Sequence, residues 1–214
     1  MTVPDKIWLF RITHVDNLSH ILKYGLITEH SKHKNKHFRQ IGDKSIIDYR
    51  KDLDAPIPPG GKFTEYVPFY LGPRSPMLYQ IATGWEDIEK INQEEIVYIV
   101  SSFDKIREHE LEFFFSDGHA RSDTSTKYNQ KKHFPKLDWD AIYATQWRSD
   151  ARDLRRQMKK QSEFLVKKHV PVACFEYLGV YDAAAHKKVL ALVDSVGLTL
   201  EVRIDPKTLY YDFL

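Results

Sequence analysis

The order in which apolar runs follow one another limits the fold of this chain more than any other feature. IVYIVSS (96–102) and LEFFFSD (111–117) are the clearest strands, rich in β-branched and aromatic residues, and only a short polar segment separates them. IWLFRI (7–12), YVPFYLG (66–72), EFLV (163–166), VACFEYL (172–178) and LTLEVRI (198–204) read as further strands, and DAIYAT (140–145) as a short one. Helices are expected from a cap at Asp16 through Lys23 or Tyr24, at 43–52, from Pro76 through Ala82, at 149–160 behind a Ser149 cap, and at 183–195. Leu18, Ile21 and Leu22 fall on one face of the first of these, and Gly25 stands at its stop position. The order shows no regular βαβα alternation, and no Gly-rich fingerprint follows a strand. A doubly wound dinucleotide fold or a P-loop is therefore unsupported, and the class is α+β.

A chain of 214 residues with 42% hydrophobic content can bury a sizeable core, and it reads as one domain over 1–214. The lone cysteine, Cys174, lies in the apolar run VPVACFEYLGV. It allows no intrachain disulfide and fits a reducing compartment. No uninterrupted run of about 18 apolar residues exists, and MTVPDKIWLF lacks a signal pattern. The expectation is a cytoplasmic protein without a membrane span, acting as a monomer. Net charge is only +2, but residues 148–168 hold eight Lys/Arg against three Asp/Glu. Such an excess is either a phosphate-binding footprint or a solvated helix face.

Glu163, in KKQSEFLV, is the sharpest candidate for chemistry. Strand alternation aims it away from the side taken by Phe164 and Val166. A carboxylate at a strand mouth beside many cations can hold a polar ligand, although spacing alone favours an ion pair with Lys159, Lys160 or Lys167. His14 closes the first strand in FRITH, where a ligand-binding role and a plain structural hydrogen bond are both open. His30, His33 and His37 are too loosely spaced, in Lys-rich surroundings, to argue for a metal site. The chain is read as metal-free.

FRITHVDNLSHILKYGL, IGDKSIIDYR, YVPFYLGPRSPMLY, FFFSDGHA and SEFLV occur in that order. Together they resemble the DarT family of DNA ADP-ribosyltransferase toxins, from about residue 7 to about 178. The resemblance implies an ADP-ribosyltransferase-type split mixed β-sandwich with flanking helices and NAD in the cleft between its sheets. It assigns Glu163 as the catalytic glutamate and Arg50 as a helix-borne catalytic or phosphate-binding arginine. The cofactor side falls on Arg11, Thr13, His14 and Asn17, with Gly25 after them. Gln161, two residues before Glu163, has the spacing at which related transferases choose their target group.

The implied reaction transfers ADP-ribose from NAD to a base of single-stranded DNA, with thymine favoured and guanine the other branch. Arg74 and Tyr79 of PRSPMLY, with Arg148, Arg152 and Arg155, are expected to contact the DNA. Lys159, Lys160 and Arg156 could join them in tracking its backbone. A macrodomain antitoxin that reverses the modification is the implied partner. A same-fold NAD-dependent RNA-modifying enzyme and a non-catalytic single-strand-binding module are the alternatives. Nicotinamide release and the substrate consumed would separate them.

Overall fold

The structure is a computed structural model that describes residues 2–42, 53–85 and 88–213. Its centre is β4 (Ile96–Ser102), all seven of whose residues are buried. Alternation explains how both faces are covered. Val97 and Ile99 pack with Leu18 and Ile21 of α1 (Leu18–Tyr24) and Val189 and Val193 of α6 (Ala183–Ser195). Ile96, Tyr98 and Val100 pack with Leu78 and Ile81 of α2 (Pro76–Thr83) and with Leu209 and Tyr210.

To one side of β4 lie β9 (Phe175–Val180) and β10 (Val202–Ile204), parallel to each other and joined through α6. To the other lies β1 (Trp8–His14), followed by β3 (Tyr66–Tyr70), β7 (Glu163–Lys167), β5 (Phe113–Ser116) and β6 (Lys127–Tyr128). β2 (Leu26–Ile27) and β8 (His169–Val170) form a separate antiparallel pair. β1 matches β4 over its full length, yet it meets β3 through one registered pair, Phe10↔Tyr70. The mixed sheet thus divides into two halves that part at β1 and β3. This is the split that the sequence resemblance implies.

Several expectations are corrected. DAIYAT is not a strand but α4 (Trp139–Tyr143), because the Asp138 carboxylate accepts the Ala141 N–H at its start and Trp139, Ala141 and Ile142 turn inward together. The basic helix expected over 149–160 shrinks to α5 (Arg156–Lys160). The Asp150 carboxylate takes the backbone N–H groups of Arg152 and Asp153, and that of Asp153 takes the Arg155 N–H. These local turns compete with helix. Ser149 does not open a helix, but its hydroxyl accepts the N–H of Gln157 in the first turn of α5, whose N-cap position is Arg155. Asp16 is not a helix cap either: the His14 ring accepts its N–H and caps a one-turn 3-10 segment, Val15–Asn17, ahead of α1. VACFEYL begins with a 3-10 turn at Val172–Cys174, and of LTLEVRI only Val202–Ile204 is strand. The helix expected over 43–52, and Arg50 with it, lie outside the described residues.

Among the described residues there are two further short helices, α3 (Phe103–Glu108) after β4 and α7 (Pro206–Leu209) near the C-terminal end. Among the described residues no helix is long and apolar enough to cross a membrane.

Candidate active site

Glu163 opens β7 opposite Tyr70, and Phe10 of β1 pairs with the same tyrosine across the split. Directly opposed residues share a sheet face and alternate residues return to it. Phe10, Ile12, His14, Tyr70, Glu163 and Leu165 therefore lie on one face. Phe164 and Val166 take the other and join the main core. The alternation read from SEFLV is what the fold uses.

Glu163 is 2% exposed. Its Oε2 accepts the Ala120 N–H at 2.7 Å and stands 3.2 Å from His119 Nδ1. The Arg121 N–H also faces Nδ1, but at 3.4 Å. Nδ1 accepts that N–H, and Glu163 lies beside the ring at ion-pair distance. Ala120 and His119 both sit on the loop that leaves β5. Because Phe115 pairs with Phe164, this loop emerges beside Glu163 and curls over it. Ser116 Oγ donates to the Gly118 carbonyl at 2.6 Å, tightening the curl. A Cβ at Gly118 would lie 2.6 Å from Ser125 Oγ and 3.0 Å from Met158 Cγ, so the DGH sequence needs its glycine.

The ion pair that spacing favoured is not what holds Glu163; the three lysines are engaged elsewhere. Lys159 Nζ lies 2.9 Å from both Asp138 and Asp153. Lys167 Nζ donates to Pro59 O at 3.0 Å. Lys160 is 1% exposed, and its Nζ donates to Pro73 O and Ile142 O, each at 2.8 Å.

Between the loop and α5 lies a cleft of about 450 Å³ lined by His119, Arg121, Ser122, Asp123, Met158 and Gln161. Gln161 thus faces it, two residues before the glutamate. His119 escaped the sequence reading although FFFSDGHA was singled out, because a histidine in a polar turn carries no periodic signal.

His14 ends β1 on Glu163's face, four positions beyond Phe10, or about 13 Å along the strand. It is 1% exposed. Burial pushes its pKa down, more than the neighbouring Asp16 and Glu95 carboxylates raise it. Its Nε2 is buried without a hydrogen-bond partner among the described residues, with Glu95 Oε1 at 3.6 Å. A buried polar atom of this kind is normally satisfied, so it fits a hydrogen-bonding ligand group.

Arg11 and Thr13 alternate to the opposite face. Arg11 Nη1 spans the split to Pro68 O at 2.8 Å. Thr13 Oγ1 accepts from Asn17, whose amide also grips the backbone of Arg39 at both N–H and C=O. Gly25 closes α1 at φ 72°, and a Cβ there would lie 2.4 Å from Val170 O. Its evident work is to let β2 approach β8.

The basic segment is only partly available for DNA. Arg155 Nη2 donates to Thr124 O at 3.1 Å and Arg156 Nε to Gln146 O at 2.8 Å. Arg148 and Arg152 are exposed. Arg74 has a left-handed backbone, φ 51°, and its Nε is buried without a hydrogen-bond partner among the described residues. Tyr79 packs edge-on against Trp147 and Tyr211. The rings of His30 and His33 are engaged separately, with Thr64 and the Tyr24 ring, and His37 donates its backbone N–H to Asn35. Among the described residues no group of three or more His, Cys, Asp or Glu could hold a metal.

A split mixed sheet with a buried glutamate, held by a backbone N–H behind the His119 wall of a polar cleft, defines an ADP-ribosyltransferase. The family model described as "ssDNA thymidine ADP-ribosyltransferase, DarT" matches residues 10–211, and the chain belongs to the DarT family of DNA ADP-ribosyltransferases. A DNA ADP-ribosyl transferase of Thermus sp. (strain 2.9) is 38% identical over 192 residues, 90% of each chain. The solved structure of Thermus sp. 2.9 DarT with ADP-ribosylated ssDNA superposes with a TM-score of 0.89 at 34% identity, covering 98% of this chain and 99% of that one. The same Thermus protein with NAD+ gives 0.83 at 33% identity, covering 98% and 100%.

Proposed function

We propose that this enzyme transfers ADP-ribose from NAD to thymine in single-stranded DNA, as the toxin of a pair whose antitoxin is a macrodomain protein that removes the mark. Acting on DNA, it works in the cytoplasm. The observation that carries the reading is Glu163, buried, held by the Ala120 N–H and set beside His119, which lines the cleft. Breaking the nicotinamide–ribose bond leaves positive charge on the ribose. A fixed carboxylate that accepts from a ribose hydroxyl holds it more strongly as that charge develops. The Ala120 N–H keeps the carboxylate from rearranging, so little reorganisation is needed at the moment of reaction. Gln161, at the cleft wall, orients the incoming base. Arg50 holds phosphate through its planar fork. His14 Nε2 binds NAD on the same face. Thymine rests on the family description and on the PRSPMLY and SEFLV signatures. Incubation with NAD and single-stranded oligonucleotides that differ in one base, followed by mass measurement of the DNA, tests the whole reading. A mass gain that follows thymine supports it; gain on guanine, or on RNA alone, overturns it.

His14→Ala is expected to weaken NAD binding by about 2- to 12-fold, the worth of one buried hydrogen bond, and to leave DNA affinity unchanged. Calorimetry with NAD measures this, and an unaltered NAD affinity removes His14 from the site.

Arg148 and Arg152 are the exposed cations that contact phosphates. Replacing both with Gln is expected to flatten the slope of log affinity against log salt by about 1.4, at roughly 0.7 per phosphate lost from a single strand. All sequences should weaken alike, because phosphates carry no base identity. Parallel salt titrations of wild type and double variant would mean that the two arginines are merely solvated.

A further inference from the structure

Behind the Arg74 loop lies a set of rings that the transfer reaction does not use. Tyr79 of α2 is at its centre, with Trp147 at 5.7 Å, Tyr211 at 5.5 Å and Phe213 at 6.0 Å between ring centroids. Tyr211 and Phe213 are stacked, 24° apart in plane. Phe213 is 51% exposed, so it offers a large apolar face to solvent.

The support of these rings is rigid. Tyr211 Oη donates to the carbonyls of Arg74 and Ser75 and accepts from Trp147 Nε1. The Tyr211 backbone pairs at both N–H and C=O with the Gln93 amide. An exposed aromatic on such an anchored backbone loses little freedom when something stacks on it. The surroundings carry two arginines and one acid, the exposed Asp212 between Tyr211 and Phe213. Arg148 follows Trp147 directly and is exposed, and Arg74, whose buried Nε has no hydrogen-bond partner among the described residues, shares the loop that Tyr211 grips. That loop is in turn bonded through Pro73 O to Lys160, three residues before Glu163.

Rings flanked by arginines match a nucleobase and its phosphate, because every base has a π-face and every link a negative charge. We infer that Phe213, supported by Tyr211, Tyr79 and Trp147, forms a stacking subsite for a base of the single strand that flanks the modified one. This rests on the reading of the enzyme as a single-strand DNA transferase. It adds a contact that is tolerant of base identity and separate from the choice of target at the cleft.

The test uses the full chain, NAD, and oligonucleotides carrying one target thymine, either intact or abasic at a single flanking position. Phe213→Ala removes an exposed ring and leaves the anchored Tyr211 in place; Trp147→Phe is a second variant that keeps ring bulk but loses the bond to Tyr211. With intact DNA, Phe213→Ala is expected to raise KM for the oligonucleotide about five- to tenfold, the lower end for one lost base stack. kcat, NAD affinity and the salt slope should stay as in wild type. One abasic position should cause a similar loss in wild type and no further loss in Phe213→Ala. An unchanged KM, or losses that multiply at every position, overturns the subsite. A wild-type enzyme that modifies no oligonucleotide at all overturns the underlying reading instead.

Discussion

Glu163→Gln is expected to lower the rate of DNA modification by about 10²- to 10³-fold, or roughly 2.7–4 kcal/mol of transition-state stabilisation, while the protein stays folded. The amide carbonyl can take the place of Oε2 and still accept from the Ala120 N–H. What is lost is the negative charge, and with it the part of the interaction that strengthens as the ribose becomes cationic. Glu163→Ala is the blunter variant, because it leaves the Ala120 N–H buried and unpaired at a cost of about 1–3 kcal/mol of stability. Single-turnover mass measurement of the oligonucleotide at saturating NAD, beside a thermal melt of each variant, separates the two effects. Near-native modification by a well-folded Glu163→Gln protein would remove the carboxylate from the mechanism.

The parts of this site that were legible in sequence are those carried by periodicity. SEFLV gave both a strand and the side on which Glu163 lies, since alternation is a local property, and the buried run IVYIVSS became the central strand. His119 and the Ala120 N–H were not legible. They reach Glu163 across 44 and 43 residues of chain, through the pairing of β5 with β7, and no short-range pattern encodes that register. The basic segment misled for a related reason. Six cations in thirteen positions look like one helix face, but Asp150 and Asp153 bend the backbone and Lys159 pairs with acids. DAIYAT had strand-like composition, and an aspartate cap with a buried Trp139 made it a helix instead. Tertiary packing overrode propensity there.

Lys160 gives the largest expected effect on stability, and its sign follows from its surroundings. Sequence leaves it open between an ion pair with Glu163 and tracking DNA; it is 1% exposed and donates to Pro73 O and Ile142 O. A neutral amine has two N–H groups, which match two carbonyl acceptors. Desolvation first, and the charge of Arg74 second, bring its pKa down from 10.5 to about 7. Below about pH 7 both folded and unfolded chains carry the proton, and the cost of burying the charge is constant. Between about pH 7 and 10.5 the unfolded chain holds a proton that the folded one has released, so stability rises with pH. From pH 7 to pH 9 the gain is about 2 kcal/mol, given roughly 1.36 kcal/mol per unit once the folded group is neutral. Above that range other groups act in the opposite direction. Burial raises the Cys174 thiol to about 11 and the Tyr98, Tyr210 and Tyr211 hydroxyls further, so the unfolded chain then loses protons that the folded one keeps. His14, whose pKa is lowered from 6.5, titrates below the window. Lys160→Met removes the titration while filling much of the same space, although it leaves two carbonyls unpaired and lowers stability at every pH. Denaturant unfolding at intervals from pH 7 to pH 9 should therefore give a rising curve for wild type and a flatter one for Lys160→Met. Two curves that stay parallel would mean that the buried amine keeps its charge throughout.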